Sequence, residues 1–394
     1  MFDDQHPPSD AVQERARSWP PIRFATVVAT AAVVVLLASG CSGADAPPAA
    51  GSGSTSPRAT AGGTASSAAP SAASGSGVAG APTALTALVA KRYGGKVPAT
   101  ASATTGTWFG TPVAVVTAGD DVTLAVGPTW KVVGGWWPSL GKKTPELGRP
   151  GPRFVLAIGS DGRKGQPLER TRADVLQVIG TDGTGGGGVM GMARDLWVPL
   201  STGGKGKINS AMVFGGPQAQ LATVTRVTGL PVEGYVVVGF SGFTQVVDEQ
   251  GGIPIVVPRT VDASHAGIVI KKGAQTLSGK QALAYARERK TLPDGDFGRS
   301  RHQGEIILAA AVKAKLAGPQ AIPTAFTSFS KVGKTNLSAE QMLTYAAGLY
   351  ALNPLRVGRG VAKGGFGTAS GQSIVVLGSE AKQLFAAFRD GNLS

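Results

Sequence analysis

The segment from Arg287 to Gln303 carries Arg287, Arg289, Arg299 and Arg301, in a chain whose charged fraction is only 16%. Arginine presents a planar fork that holds phosphate through paired hydrogen bonds, so this cluster points to a phosphorylated ligand. Four short segments upstream add acids and bases: Gly159-Ser160-Asp161, Arg172-Ala173-Asp174, Ala193-Arg194-Asp195 and Lys207-Ile208-Asn209. Other chemistries are poorly served. The glycine run at 185–188 lacks a following Gly-Lys-Ser/Thr, so it is not a Walker phosphate loop. Gly239-Phe240-Ser241 lacks the second glycine of a nucleophile elbow, because Phe243 stands there. With three histidines and one cysteine, a histidine- or cysteine-based metal site or a serine triad has little to draw on. Carboxylates and arginines remain.

These residues need elements to position them. From Arg153 the pattern alternates strands with helices. Strands are expected at Arg153–Ile158, Asp174–Ile179, Val189–Met192, Tyr235–Phe240 and Ile253–Val257. Helices are expected at Gly216–Leu230, Phe243–Glu249, Gly279–Ala286 (opened by a capping box of Ser278 and Gln281) and Arg301–Leu316. Such interleaving predicts an α/β fold, a mixed sheet with helices on its faces. Arg172 and Asp174 are two apart, so on extended backbone both point to one side. Arg287 and Arg289 do so only where the helix has ended by about Arg287; on a continuing helix they diverge by about 200°.

Residues 82–148 differ in character. A short helix at Ala84–Tyr93 precedes strand-like runs at Pro112–Val116, Val122–Val126 and Trp130–Val133. Trp108, Trp130, Trp136 and Trp137 give this stretch four of the six tryptophans. A small β-rich accessory module results, its aromatics assigned to a core, with saccharide stacking as the alternative.

Taken in order and at these spacings, the charged segments resemble the LytR-CpsA-Psr family, bacterial cell-envelope phosphotransferases that move glycopolymers from a polyprenyl carrier onto peptidoglycan. The resemblance covers Pro152 to about residue 316 well and the rest of the C-terminal part loosely. It implies an α/β domain over 149–394 with a mixed central sheet sandwiched between helices. It also implies Mg²⁺ held by Asp161 and Asp174, since that ion takes one or two carboxylates plus the substrate's phosphates. Pyrophosphate contacts would fall to Arg172, Arg194, Arg287, Arg289 and Gln303, with Lys207 adding a phosphate contact. Arg194, Arg287, Arg289 and Asp161 would carry catalysis, Asp161 also being the favoured general base where metal leaves it free. Asp195 would orient Arg194, and Asp296 and Arg299 would brace the Arg287–Gln303 loop, Arg299 also counting among the substrate-binding residues. Asn209 is as well explained by structure. Two positions depart from the family pattern: Ala193 stands where proline is usual, and His302-Gln303 replaces Gln-Gln. His302 is expected on a helix surface rather than as a proton shuttle, and His265 is unassigned. A carrier's tail would need an apolar groove, which helices such as Gly279–Ala286 and Ile306–Val312 could line.

The N-terminal part reads as an address. Arg15, Arg17 and Arg23 precede an apolar run from Phe24 to Ala38. At about 15 residues the run falls short of the roughly 20 a spanning helix prefers and suits a signal-peptide core. It leads into Leu37-Ala38-Ser39-Gly40-Cys41, similar to a lipobox with Cys41 lipidated, although leucine is usual where Ala38 stands. An uncleaved signal anchor is the alternative. Residues 42–81, nearly all Ala, Gly, Ser, Thr and Pro, read as a flexible tether. The net charge of +14 then looks toward anionic lipid or wall polymer on the outer face of the cytoplasmic membrane rather than nucleic acid, with plain solubility from a lysine- and arginine-rich surface as the alternative. The expected function is transfer of a glycopolymer from polyprenyl pyrophosphate to peptidoglycan. A polyprenyl-pyrophosphate hydrolase and a non-catalytic lipid- or glycan-binding lipoprotein are the rivals.

Overall fold

The computed structural model describes residues 77–162 and 166–394. The signal-peptide core, Cys41 and nearly all of the expected tether lie outside these residues. Order begins before the tether was expected to end: Val78 is buried, and Ala79 forms a bridge with Ser102. No helix among the described residues is long and apolar enough to cross a membrane.

Helix α1 (Thr83–Arg92) leads into an antiparallel sheet of β1 (Ser102–Trp108), β2 (Thr111–Ala118), β3 (Asp121–Val126) and β4 (Lys131–Trp136). The first of these strands escaped sequence reading, because Ser-Ala-Thr-Thr-Gly-Thr-Trp lacks an apolar alternation. The chain then lays down β5 (Arg153–Ser160), β6 (Ala173–Thr181), β7 (Gly187–Met192), α2 (Ser210–Thr228), β8 (Val232–Gly239) and α3 (Phe240–Glu249). Next come α4 (Gly279–Arg287), α5 (Asp296–Ala317), α6 (Ile322–Val332), β9 (Gly333–Thr335), α7 (Ala339–Ala351), β10 (Val357–Ala362) and α8 (Ser379–Ala387).

The central sheet has six strands in the order β9-β8-β5-β6-β7-β10. The β5–β8 and β7–β10 pairs are parallel and the others antiparallel, so the sheet is mixed as expected. Its two faces follow from the period of two along a strand. Phe154, Leu156 and Ile158 of β5 pack with Leu176 and Val178 of β6 against α2 and α8. Val155, Ile179 and Val236 face the other way, onto α5, α6 and α7. The same second core takes in Trp108, Val113 and Leu124 of the N-terminal sheet, so that sheet packs as part of one continuous interior. Trp108 is 2% exposed, stacks on Phe329 with centroids 5.5 Å apart, and donates its indole N–H to the Leu337 carbonyl at 2.9 Å.

Several boundaries move, each for a local reason. Helix α2 begins at Ser210 rather than Gly216, with a kink at the residue where the helix was expected to start. Gly216 takes φ +71°, open to glycine and strained for other residues, and Pro217 then restarts the helix without needing an N–H partner. Helix α5 begins at Asp296, not Arg301, which puts Arg299 in a helical turn rather than a loop. Helix α4 opens with the expected capping box: Ser278 Oγ accepts the Gln281 N–H and Gln281 reaches back to the Ser278 N–H.

Candidate functional site

The arginines are placed by where α4 stops. The helix ends at Arg287, and Glu288 is already extended (φ −65°, ψ 133°). Arg287 and Arg289 therefore escape the divergence of a continuing helix, and both line one polar pocket of about 180 Å³. Helix α5 brings Arg299 and Gln303 to it, β6 brings Asp174, and the turn after β7 brings Arg194. Five cationic side chains (Arg194, Arg287, Arg289, Lys290 and Arg299) meet there with two carboxylates, Asp174 and Glu288. The surplus favours an anion.

The cations are held by a web of partners. Arg194 Nη1 donates to Asp174 Oδ1 at 2.6 Å, and its other neighbour Asp195 accepts from Lys207 Nζ at 3.0 Å. Burial works against the Arg194 charge, but Asp174, Asp195 and Asp296 outweigh it and raise its pKa. Arg299 is more deeply buried. That burial lowers its pKa, with Asp296 opposing at 2.7 Å. An arginine starts so far above neutrality that it remains charged. Arg194 Nε and Arg299 Nε are buried without a hydrogen-bond partner. A buried donor left unpaired costs about 1–3 kcal/mol, so these two N–H groups favour an oxyanion arriving in the pocket.

Gln303 has a positioning task that its sequence context did not reveal. Its Nε2 donates to the Asp174 carbonyl (3.3 Å) and the Ala286 carbonyl (3.2 Å), and Gln177 donates to its Oε1 at 3.3 Å. It thus ties β6, α4 and α5 together directly beneath the pocket.

At Phe240, Val175, Arg287 and Gln303 the polar pocket meets a second, apolar cavity of about 140 Å³. The sheet supplies Ala157, Val236 and Val238 to its wall. Helices α3, α4 and α5 supply Phe243, Leu283 and Ile306, among others. The expected groove between sheet and helices is there, lined by both of the expected helices. Arg287 closes the junction, its guanidinium 4.6 Å from the Phe240 ring centroid, so one residue touches both compartments.

Asp161, Arg172 and Lys207 are not among the residues lining the polar pocket. Asp161 and Arg172 face each other just past the paired ends of β5 and β6. The Arg172 N–H donates to Asp161 Oδ1 at 2.8 Å, and the Asp161 N–H donates to the Arg172 carbonyl at 3.1 Å. Lys207 acts through Asp195, and Asn209 is buried with its backbone joining Ala173 to Arg194. Arg301 turns away and pairs with Asp294 at 2.6 Å.

His302 is a correction. Instead of lying on a helix surface it is 2% exposed, stacked on Tyr285 with ring centroids 4.0 Å apart, and its Nδ1 meets the Tyr285 carbonyl at 3.1 Å. The face of α5 that carries His302 packs against α4 instead of solvent. Burial depresses its pKa, so the ring is neutral near pH 7, and Nδ1 carries the proton it donates. His265, left unassigned by its loop sequence, lines the polar pocket and pairs with Glu288 at 2.9 Å. Burial disfavours the Glu288 carboxylate, but hydrogen bonds from the Thr291 N–H and His265 more than compensate and hold its pKa below the usual range. Nothing in the local sequence linked residues 23 apart.

Comparison with known proteins agrees with this architecture. Residues 141–377 match the sequence profile of the LytR_cpsA_psr family. Among curated proteins, the regulatory protein MsrR of Staphylococcus aureus (strain COL) is 36% identical over 156 residues, covering 39% of this chain and 46% of MsrR. The polyisoprenyl-teichoic acid–peptidoglycan teichoic acid transferase TagU of Bacillus subtilis (strain 168) is 36% identical over 196 residues, covering 48% of this chain and 62% of TagU. The chain thus spans about half the length of the curated relatives it matches. Among solved structures, B. subtilis TagV superposes with a TM-score of 0.51 at 26% identity, over 61% of this chain and 96% of TagV. Protein gbs0355 of Streptococcus agalactiae shares the fold, with a TM-score of 0.54 at 23% identity over 62% of this chain and 90% of that one. The chain belongs to the LytR-CpsA-Psr family.

Proposed function

We propose that this protein transfers a glycopolymer from a polyprenyl-pyrophosphate carrier to peptidoglycan on the outer face of the cytoplasmic membrane. The observation that carries this reading is the joining of an apolar cavity to an arginine-lined pocket through Phe240 and Arg287. A polyprenyl pyrophosphate has that same division, a greasy tail and a doubly phosphorylated head. The name of TagU, a polyisoprenyl-teichoic acid–peptidoglycan teichoic acid transferase, describes this class of reaction in a relative.

In the proposed step an acceptor hydroxyl oxygen attacks the sugar-side phosphorus and forms a new P–O bond. The bond from that phosphorus to the bridging oxygen breaks, and its electron pair leaves on polyprenyl phosphate. The hydroxyl proton passes to a carboxylate at the β5–β6 ends, a role open to Asp161 where metal leaves it free. Arg194 and Arg299 are already held by ion pairs and Arg287 by the Phe240 ring, so with Arg289 they stabilise the growing charge with little reorganisation. Arg172 and Lys207, at the margin, would meet the head's outer oxygens or the first sugar phosphate.

Mg²⁺ fits the carboxylates present. Asp161 and Asp174 stand at the same end of adjacent antiparallel strands, Asp161 Oδ1 accepting the Arg172 N–H and Asp174 Oδ1 accepting from Arg194 Nη1. Among the described residues no group of three or more histidine, cysteine, aspartate or glutamate side chains forms a metal cage. Two carboxylates completed by phosphate oxygens suit Mg²⁺ better than a cation that needs an all-protein shell. Bound there, Mg²⁺ would neutralise charge on the pyrophosphate oxygens. Membrane attachment through Cys41 is part of the same proposal and places the tail cavity near its substrate.

The test is release of polyprenyl phosphate from a glycan-bearing polyprenyl pyrophosphate by the full chain, with and without Mg²⁺ and with and without peptidoglycan. Release that requires both, with the glycan recovered on the wall polymer, supports transfer. Equal release without peptidoglycan means a hydrolase. Binding of the lipid with no release under any condition means a lipid-binding protein.

A further inference from the structure

A third cavity opens beside the arginine site. Its volume is about 290 Å³, and it shares Arg289 and Lys290 with the phosphate pocket. Its other walls are Asp195, Asp296 and the hairpin formed by Gly364–Ala369 and Gln372–Leu377, from which Phe366 and Ser373 contribute. The hairpin is fixed to the catalytic frame: the Val375 N–H donates to the Asp195 carbonyl at 2.9 Å, and Val375 bridges Leu196.

We propose that this pocket is the subsite for the acceptor saccharide, the hydroxyl-bearing glycan that takes up the phosphate. The proposal rests on the transferase reading above. Phe366 is 72% exposed, although it belongs to an ordered strand and reaches Phe297 with ring centroids 5.7 Å apart. The strand around it is nearly bare, reading Gly364-Gly365-Phe366-Gly367. Gly364 is required by the close approach of the Val376 carbonyl, but a Cβ on Gly365 would meet nothing within 4 Å and one on Gly367 only ordinary contacts, so packing within the protein does not require the bareness on either side of Phe366. An exposed ring on a flat strip of backbone is a surface on which the apolar face of a pyranose can lie. Behind it, Asp296 is 8% exposed, and neither carboxylate oxygen accepts a formed hydrogen bond despite the ion pair with Arg299. Buried acceptors in this condition favour hydroxyl donors. The shared Arg289 and Lys290 put a sugar held here next to the phosphate compartment.

The test separates this subsite from the chemistry. Donor-free binding of uncrosslinked peptidoglycan glycan strands is compared for the wild-type chain, Phe366→Ala and Phe366→Tyr, followed by acceptor KM in the transfer assay. Phe366→Ala should weaken strand binding and raise acceptor KM by roughly 3- to 10-fold, the scale of one aromatic contact, and Phe366→Tyr should restore both. Affinity for polyprenyl phosphate should be equal in all three. Strand binding and KM that ignore Phe366 overturn the subsite, even if transfer proceeds. Strand binding that depends on Phe366 in a chain that never releases polyprenyl phosphate keeps the subsite and overturns the transferase reading.

Discussion

Arg194 shows how much of the site is decided by one side chain's partners. It neutralises Asp174, touches Asp195 and lines the phosphate pocket. Arg194→Ala should cut polyprenyl phosphate release by on the order of 100-fold, the usual cost of one preorganised donor, with far less effect on lipid binding. Single-turnover release beside equilibrium binding reads this, and a loss confined to binding would contradict it. His302 gives a pH dependence of stability. Burial lowers its folded pKa below the unfolded value of about 6.5, so unfolded chains take up the proton more readily. Its contribution is therefore complete above about pH 6.5 and is lost as pH falls toward the folded pKa. The Tm difference between wild type and His302→Asn should be widest at pH 7.5 and narrow toward pH 5. A constant difference would show that folding leaves the ring's pKa unshifted.

At the scale of elements, the space between the sheet and α3, α4 and α5 is the feature with functional consequence. Ala157 on β5 lines that cavity, and a larger side chain there would occupy a good part of about 140 Å³. Ala157→Phe should weaken binding of a long-chain polyprenyl phosphate and leave inorganic pyrophosphate, which needs only the polar pocket, unaffected. Calorimetric titration with both ligands makes the comparison, and equal losses would mean that the two compartments are not used separately. The α4 cap is a second element-scale matter. Ser278→Ala removes one half of the capping box, and about 1 kcal/mol of stability should go with it. Because α4 ends at Arg287, fraying from its start should leave catalysis nearly intact, which denaturant midpoints beside turnover would check.

At the scale of the whole molecule, the tryptophan-bearing sheet is a structural partner of the six-stranded sheet and its helices. Trp108, Val113 and Leu124 share one interior with Phe326, Phe329 and Met342. Trp108→Ala should cost about 3–5 kcal/mol, as large-to-small changes of buried aromatics do. Tryptophan fluorescence and far-UV circular dichroism should report one coincident unfolding transition for the wild type. Two separated transitions would mean that the N-terminal sheet folds by itself.

The sequence by itself determined the α/β class, the capping box at Ser278, the end of α4 near Arg287, and the arginines and Asp174 that gather in one pocket, though not Glu288. These depend on local chemistry: a period of two or 3.6, a cap, a breaking residue, a charge that must find a partner. It also carried the family resemblance, since ordered short segments survive changes elsewhere. It could not tell that Asp161, Arg172 and Lys207 stand outside the pocket that gathers Arg194, Arg287, Arg289, Arg299 and Gln303. Nor could it show that His302 is buried, that His265 meets Glu288, or that Phe366 stands beside Asp296. Those facts depend on which faces of α4, α5 and a distant hairpin meet, and such long-range packing is settled only when the whole interior closes at once.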